Sequence, residues 1–201
     1  MAVNSEPPLP FLQNLLKSHM DFDQSVQRAI KDIQTTKLDG TRVEAEIHGV
    51  LVKRVTTHVD HRGRLFEVWN GTQDVWSEPV VYCYMFSIKA NTTKGWGLHL
   101  EKSDRYTLIC GEIVTVLYDP RIQSPTFGKI QKVTLSEQGF RQLVIPEGVW
   151  HMNVNIADRE SFLINHPTQI YDHESPDRYL LPLDSSEIPF DVESLFPTQN
   201  R

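Results

Sequence analysis

The sequence predicts an all-β domain, a double-stranded β-helix closed as a jelly-roll barrel, behind an N-terminal helical arm. Three observations predict it. First, from residue 43 onward the apolar residues recur at every second position, in segments 43–55, 80–90, 105–119, 130–136, 141–147 and 161–166. Such runs, rich in Val, Ile, Leu and Tyr, read as strands. Second, turn formers separate them: Gly63, Gly71, Gly95, Gly111, Pro120, Pro125, Gly128, Gly139 and Gly148. Third, no helix-long periodic run interrupts this region before the tail. Many short strands at this density make a sandwich or a barrel, and a jelly roll leaves fewer unpaired edges than an open sheet.

Taken in order, residues 1–40 form the arm. Phe11, Leu12, Leu15 and Leu16, then Val26, Ile30 and Ile33, have the spacing of one or two amphipathic helices. Asp21 precedes the second stretch and suits its N-cap. The arm is too short for a core of its own, so it is expected to pack on the barrel or on a second subunit. Residues 41–192 are assigned to the barrel with a C-terminal wrap, and 193–201 to a tail. From Tyr171 the chain turns acidic and proline-bearing, with alternating apolar residues able to dock and one or two short helical turns expected. Pro189 opposes a long helix there.

Composition narrows the function. A chain of 201 residues supports one sizeable core. A net charge of -6 argues against a nucleic-acid surface, which needs clustered cations. No apolar run is long enough to span a membrane, and residues 1–10 lack a basic-then-apolar leader pattern, so a cytoplasmic location is expected. Cys83 and Cys110 lie in strand-like segments and are expected to be two buried, free thiols.

Two stretches stand out chemically. One is Gly95-Trp96-Gly97-Leu98-His99, followed by Asp104 and Gly111; the other is Pro146-Glu147-Gly148-Val149-Trp150-His151, followed by Asn155. Alternate strand residues of a small barrel point inward, so histidines from different strands can meet in one cavity. Trp96 and Trp150 are either core or a flat wall for a base or sugar face. A metal needs three or more N or O ligands, and His99, Asp104 and His151 are the alternative set for one divalent ion. Arg62 and Arg64, near Glu67, suit phosphate oxygens. No glycine-rich phosphate loop, paired-cysteine zinc motif or hydrolase elbow is present.

These stretches together resemble the dTDP-4-dehydrorhamnose 3,5-epimerase family, a branch of the cupins acting on nucleotide-linked 4-keto sugars. DHRGRLFEV resembles the early strand whose Arg and Glu hold the nucleotide; GLH at 97–99 resembles the segment bearing the catalytic base. The stretch from Gly111 to His151 resembles the centre of the fold, and the likeness runs over about residues 58–192. The resemblance implies His99 as general base, Asp184 as its partner, and His151 as an assisting or substrate-binding group. It implies Arg62, Arg64 and Glu67 on the nucleotide, a nucleotide-linked sugar as ligand, no cofactor, and a homodimer.

The chain also departs from the family. Its lysine falls at Asp104, its acidic tyrosine at Ile164, and its arginine before GLH at Trp96. Tyr106 or Tyr171 is left to supply the acid from another position. The spacing of His99, Asp104 and Gly111, then Pro146, Gly148, His151 and Asn155, also resembles the metal-binding cupin motifs, with Gly97 where those have a histidine. Three expectations follow: a divergent nucleotide-sugar epimerase or isomerase, a metal-dependent cupin enzyme of another class, or a non-catalytic sugar- or nucleotide-binding cupin.

Overall fold

The computed structural model describes residues 46–71, 76 and 78–196, with positions 10, 13–14, 22, 24–32, 34–40 and 43 of the preceding segment. The chain divides into two compact units, Met1–Ala45 and Glu46–Arg201. In the first, backbone at 24–28 is helical, and the Ala29 amide donates to the Ser25 carbonyl at 3.0 Å. Phe11, Leu12, Leu15, Leu16, Asp21 and Ile33, on which the arm reading rests, lie outside the described residues.

The second unit is built from antiparallel strands. One sheet has five, in the order β1 (Leu51–Arg54), β9 (Arg141–Ile145), β6 (Asp104–Cys110), β11 (Ser161–Asn165) and β4 (Tyr84–Ile88). The other runs β12 (Tyr179–Leu180), β5 (Thr93–Leu98), β10 (Trp150–Asn155), β7 (Glu112–Tyr118) and β8 (Ile130–Ser136). A separate hairpin pairs β2 (Thr57–Asp60) with β3 (Gly63–Phe66). Two strands outside the clean period-two runs, β5 and β10, carry the two glycine-and-histidine stretches. Their runs read poorly because Gly95 and Gly97 interrupt one, and Asn153 and Asn155 stand at inward positions of the other.

The inner faces of the sheets meet over Ile88, Leu108, Ile113, Leu117, Leu135, Leu143, Ile145 and Leu163, all at most 2% exposed. Fully burying a side chain of this size contributes about 1.5–3 kcal/mol. The second sheet is covered on its outer face as well. There Trp96, Val114, Val116, Met152 and Val154 pack beneath Leu181, Ile188, Phe190, Val192 and Phe196 of the C-terminal segment. This explains why β7 is buried almost without alternation, as expected of a strand covered on both sides. The tail's helical content among the described residues is one 3-10 turn, Val192–Leu195, capped by the Asp191 carboxylate on the Glu193 amide.

Both cysteines are free, but Cys83 is exposed and Cys110 half-buried. The expectation of two buried thiols is therefore corrected. On β4 it is Tyr84, Phe86 and Ile88 that face inward, which leaves Cys83 and Met85 on the outer face.

Candidate active site

The barrel interior is apolar at one end and polar at the other. At the polar end a cavity of about 400 Å³ opens to solvent. His99, Asp104 and His151 meet in it. They come from three places: His99 follows β5, Asp104 begins β6, and His151 lies on β10 paired with Gly97 across the sheet. Because Gly97 has no side chain, the imidazole of His151 occupies the space above it; a Cβ there would stand 3.5 Å from its Nε2.

Asp104 sits between the two histidines. Its Oδ2 is 3.4 Å from His99 Nε2 and 3.5 Å from His151 Nε2. The same oxygen accepts from the Tyr106 hydroxyl at 3.0 Å, and Oδ1 accepts from Asn165 Nδ2 at 2.8 Å. Burial alone raises the Asp104 pKa, but the two histidines and Asn165 outweigh it and hold the carboxyl well below the usual range. For His99, burial lowers the pKa and the Asp104 carboxylate overcomes that, leaving it raised. His151 goes the other way: burial dominates and favours the neutral ring. One carboxylate therefore separates two imidazoles in protonation preference.

The other ring nitrogens are both tied to backbone. His99 Nδ1 donates to the Asp177 carbonyl, and His151 Nδ1 to that of Val149 at 3.2 Å. A carbonyl oxygen can only accept, so each ring carries its hydrogen on Nδ1 and turns Nε2 toward Asp104. Asp177 holds the turn after β5 in two further ways, accepting from the Leu100 amide at 2.9 Å and the Glu101 amide at 3.0 Å.

Tyr82, Tyr84 and Phe86 form one wall, with Asn153, Tyr171 and His173 elsewhere around the rim. The Tyr84 hydroxyl accepts from Asn165 at 2.9 Å. Burial and then the Asp104 charge push its pKa up to about 12, so it stays a hydroxyl at neutral pH. Lys94, Lys102 and Arg178 line the same cavity, a local excess of positive charge in a chain of net charge -6. Lys102 is buried, its ammonium 5.4 Å from the Tyr171 ring centre. Behind this wall Arg105 is buried and donates to the carbonyls of Glu78, Pro79, His166 and Pro167. It thereby joins the segment leading into β4 to the segment following β11.

Several sequence-based assignments change. The carboxylate beside His99 is that of Asp104; Asp184 is exposed. In the wrap it is Leu183 that lies over β5 at Gly95, which turns its neighbour Asp184 to solvent. Trp96 is 1% exposed and packs edge-on against Phe190, on the face of β5 away from the cavity. Trp150 likewise packs with the outer cluster, because strand alternation points it opposite to His151. Arg62 pairs with Asp60, Arg64 with Glu137 across the Phe140 ring, and Glu67 accepts from Asn70. Arg62, Arg64 and Glu67 do not line the cavity of their own chain. Ile164 is half-buried between the fully buried Leu163 and Asn165, so Asn165 is the inward residue there.

Among the cavity residues that sequence reasoning missed are Tyr82, Tyr84, Phe86, Lys94, Lys102 and Arg178, and with them Asp177, which holds His99. The alternating aromatics at 82, 84 and 86 were a readable signal of a one-sided aromatic face. Asp177 offered none, since its partner His99 is 78 residues away.

Solved structures share this architecture. A dTDP sugar isomerase from Desulfovibrio desulfuricans G20 superposes with a TM-score of 0.68 at 23% identity, covering 72% of this chain and 91% of that one. A dTDP-6-deoxy-D-glucose-3,5-epimerase from Legionella pneumophila, solved with dTDP-4-keto-L-rhamnose, gives 0.65 at 20% identity over 74% and 81%. The fold and the polar barrel mouth thus define a cupin-type jelly-roll protein. The family model described as dTDP-4-dehydrorhamnose 3,5-epimerase matches residues 44–195. A probable low-salt glycan biosynthesis epimerase of Haloferax volcanii is 34% identical over 139 residues, 69% of this chain and 89% of that protein. The dTDP-4-dehydrorhamnose 3,5-epimerase of Salmonella typhimurium is 30% identical over 128 residues, 60% of this chain and 70% of that protein. The chain belongs to the dTDP-4-dehydrorhamnose 3,5-epimerase family, a family of nucleotide-sugar epimerases. No helix among the described residues is long and apolar enough to cross a membrane.

Proposed function

We propose that this protein epimerises or isomerises a nucleotide-linked keto sugar in the barrel mouth, with His99 as the general base. One observation carries the reading. His99 is held by the Asp177 carbonyl so that Nε2 is its basic nitrogen, and that nitrogen lies 3.4 Å from the Asp104 carboxylate inside the cavity. A proton next to a ketone is acidic because its removal gives an enolate. When His99 takes that proton it becomes an imidazolium, and Asp104 stabilises the new charge.

The enolate oxygen needs a cation or a donor. Lys102, which lines the cavity, fills that need in place of the lysine lost at position 104. Lys94 and Arg178 suit the diphosphate, and the faces of Tyr82 and Tyr171 suit a base or sugar ring. His151, kept neutral by burial, binds on the far side of Asp104 as an assisting group. A second copy of the chain is proposed to cover the β2–β3 hairpin, where Val59 and Leu65 are 76% and 64% exposed. Light scattering of the purified chain tests that point.

The test of the reaction is proton exchange. The protein is incubated in deuterated water with nucleotide-linked 4-keto-6-deoxy sugars, prepared with dTDP, UDP, GDP and CDP. Deuterium at a carbon next to the ketone, lost in His99→Gln, is the expected result. Tight binding without exchange assigns a non-catalytic binding role instead.

A further inference from the structure

We propose that Arg54 and Arg141 form a binding site for a phosphate-bearing small molecule, at the end of the barrel opposite the cavity. The two residues stand directly opposite each other on the neighbouring strands β1 and β9. Direct cross-strand partners point to the same face. That face is the inner one, because Val52 and Leu143, the inward pair next to them, pack into the core. The last inward pair is therefore two guanidinium groups. Like charges directly opposite each other destabilise a sheet, and an anion between them removes that cost.

The groove around them does not balance the charge. Arg54, Arg64, Arg141, Glu137 and Gln138 are among the residues lining it, and its volume is about 570 Å³. Glu137 is its only carboxylate among the described residues. That carboxylate is already shared by Arg64 at 3.3 Å, by Arg159, and by the Gly111 amide at 3.2 Å. The groove is also well away from the cavity. Arg141 begins β9, whereas Ile145 at the other end of that strand pairs with Asp104. Four residues of strand put these two ends about 13 Å apart.

The chemistry favours phosphate over carboxylate. One guanidinium fork satisfies both oxygens of a carboxylate. Two forks side by side suit a tetrahedral dianion, which offers more oxygens and twice the charge. Small-molecule sites run to about 300–1,000 Å³, so the groove takes a phosphate ester as well as inorganic phosphate. An anion held there clamps the edge strand β1 to β9. A ligand that binds only the folded chain stabilises it. The site is independent of the proposed reaction, and deuterium exchange at His99 can fail without touching it.

The experiment is calorimetric titration of the full chain with inorganic phosphate and, separately, with glycerol 3-phosphate. A sodium chloride titration of matched ionic strength runs beside them. One site is expected, and the tighter probe names the source. Arg54→Gln and Arg141→Gln, checked for fold by circular dichroism, should each weaken binding roughly 10- to 100-fold. The double variant Lys94→Gln with Arg178→Gln, at the cavity, should leave it unchanged. At 100 times Kd the Tm of the unaltered chain should rise roughly 5–10 °C. Arg54→Glu replaces the like-charge pair by an opposite pair. It should raise the anion-free Tm and abolish the anion-dependent rise.

Absence of binding by the unaltered chain overturns the site. So does binding that both arginine variants keep or that the cavity variant loses, and so does a lower anion-free Tm in Arg54→Glu. If phosphate has no effect and the arginine variants dissociate a dimer in light scattering, the groove is a protein interface and the proposal falls.

Discussion

His99 and Asp104 face each other across 3.4 Å at the mouth of the barrel, although one follows a strand and the other begins the next. The carboxylate is buried and the imidazole half-buried, so their charges act on each other with little screening. In the proposed reaction, His99→Gln removes the base and is expected to slow deuterium exchange by about 10²–10⁴-fold. Asp104→Asn removes one charge-assisted interaction of about 1.5–3 kcal/mol, or roughly 10- to 100-fold in rate. Single-turnover exchange followed by NMR separates the two.

The aromatic wall is expected to act in binding. Tyr82→Ala and Tyr171→Ala each remove a ring from the cavity. A stacking contact contributes about 0.5–1.5 kcal/mol, so Kd should rise roughly 2- to 10-fold per variant. Calorimetric titration with the nucleoside diphosphate checks this. Trp96 is core, and Trp96→Ala should instead cost about 3–5 kcal/mol of stability in denaturant unfolding.

Arg105 ties two segments together behind that wall through four backbone carbonyls. Arg105→Met leaves those acceptors buried without a donor, at about 1–3 kcal/mol for each that water does not reach, and is expected to destabilise the fold. Thermal unfolding measures the loss.

Gly111 joins β6 to β7 at φ +92, and a Cβ there would stand 2.1 Å from Ser161 Oγ. Strained backbone of this kind costs about 1–3 kcal/mol before any clash is counted. Gly111→Ala should therefore lower Tm markedly, whereas Gly128→Ala, with open space around its Cβ position, shows the backbone cost alone.

Asp119 anchors the turn after β7. Its carboxylate accepts from Arg121 Nε at 2.7 Å, Ser124 Oγ at 2.6 Å and Thr126 Oγ1 at 2.7 Å. Burial alone raises its pKa, but these bonds outweigh it and hold the carboxyl well below the usual range. A depressed folded-state pKa stabilises the fold above the ordinary value of 3.8, and the benefit is lost as pH falls below it. Asp119→Asn should thus cost about 1.5–3 kcal/mol at neutral pH and progressively less in acid. Urea unfolding of both proteins at pH 7 and at pH 3 checks the sign.

By itself, the sequence determined the barrel and the neighbourhood of its site. Period-two runs bounded by glycine and proline dictate strands, because alternate side chains must enter one core. The glycine-flanked His99 and His151 stretches marked the cavity because a histidine beside a strand turn sits at a barrel mouth. What only the tertiary structure decided is which atoms meet there. Asp104 rather than Asp184 faces His99, and Asp177 sets its tautomer from 78 residues away. Trp96 and Trp150 turned out to serve the outer core, since alternation sends each opposite to the residue beside it that faces the cavity. Pattern along a chain reports which face a residue takes. It does not report which distant residue takes the facing position, because that depends on strand register and on where the C-terminal wrap lies across the sheet.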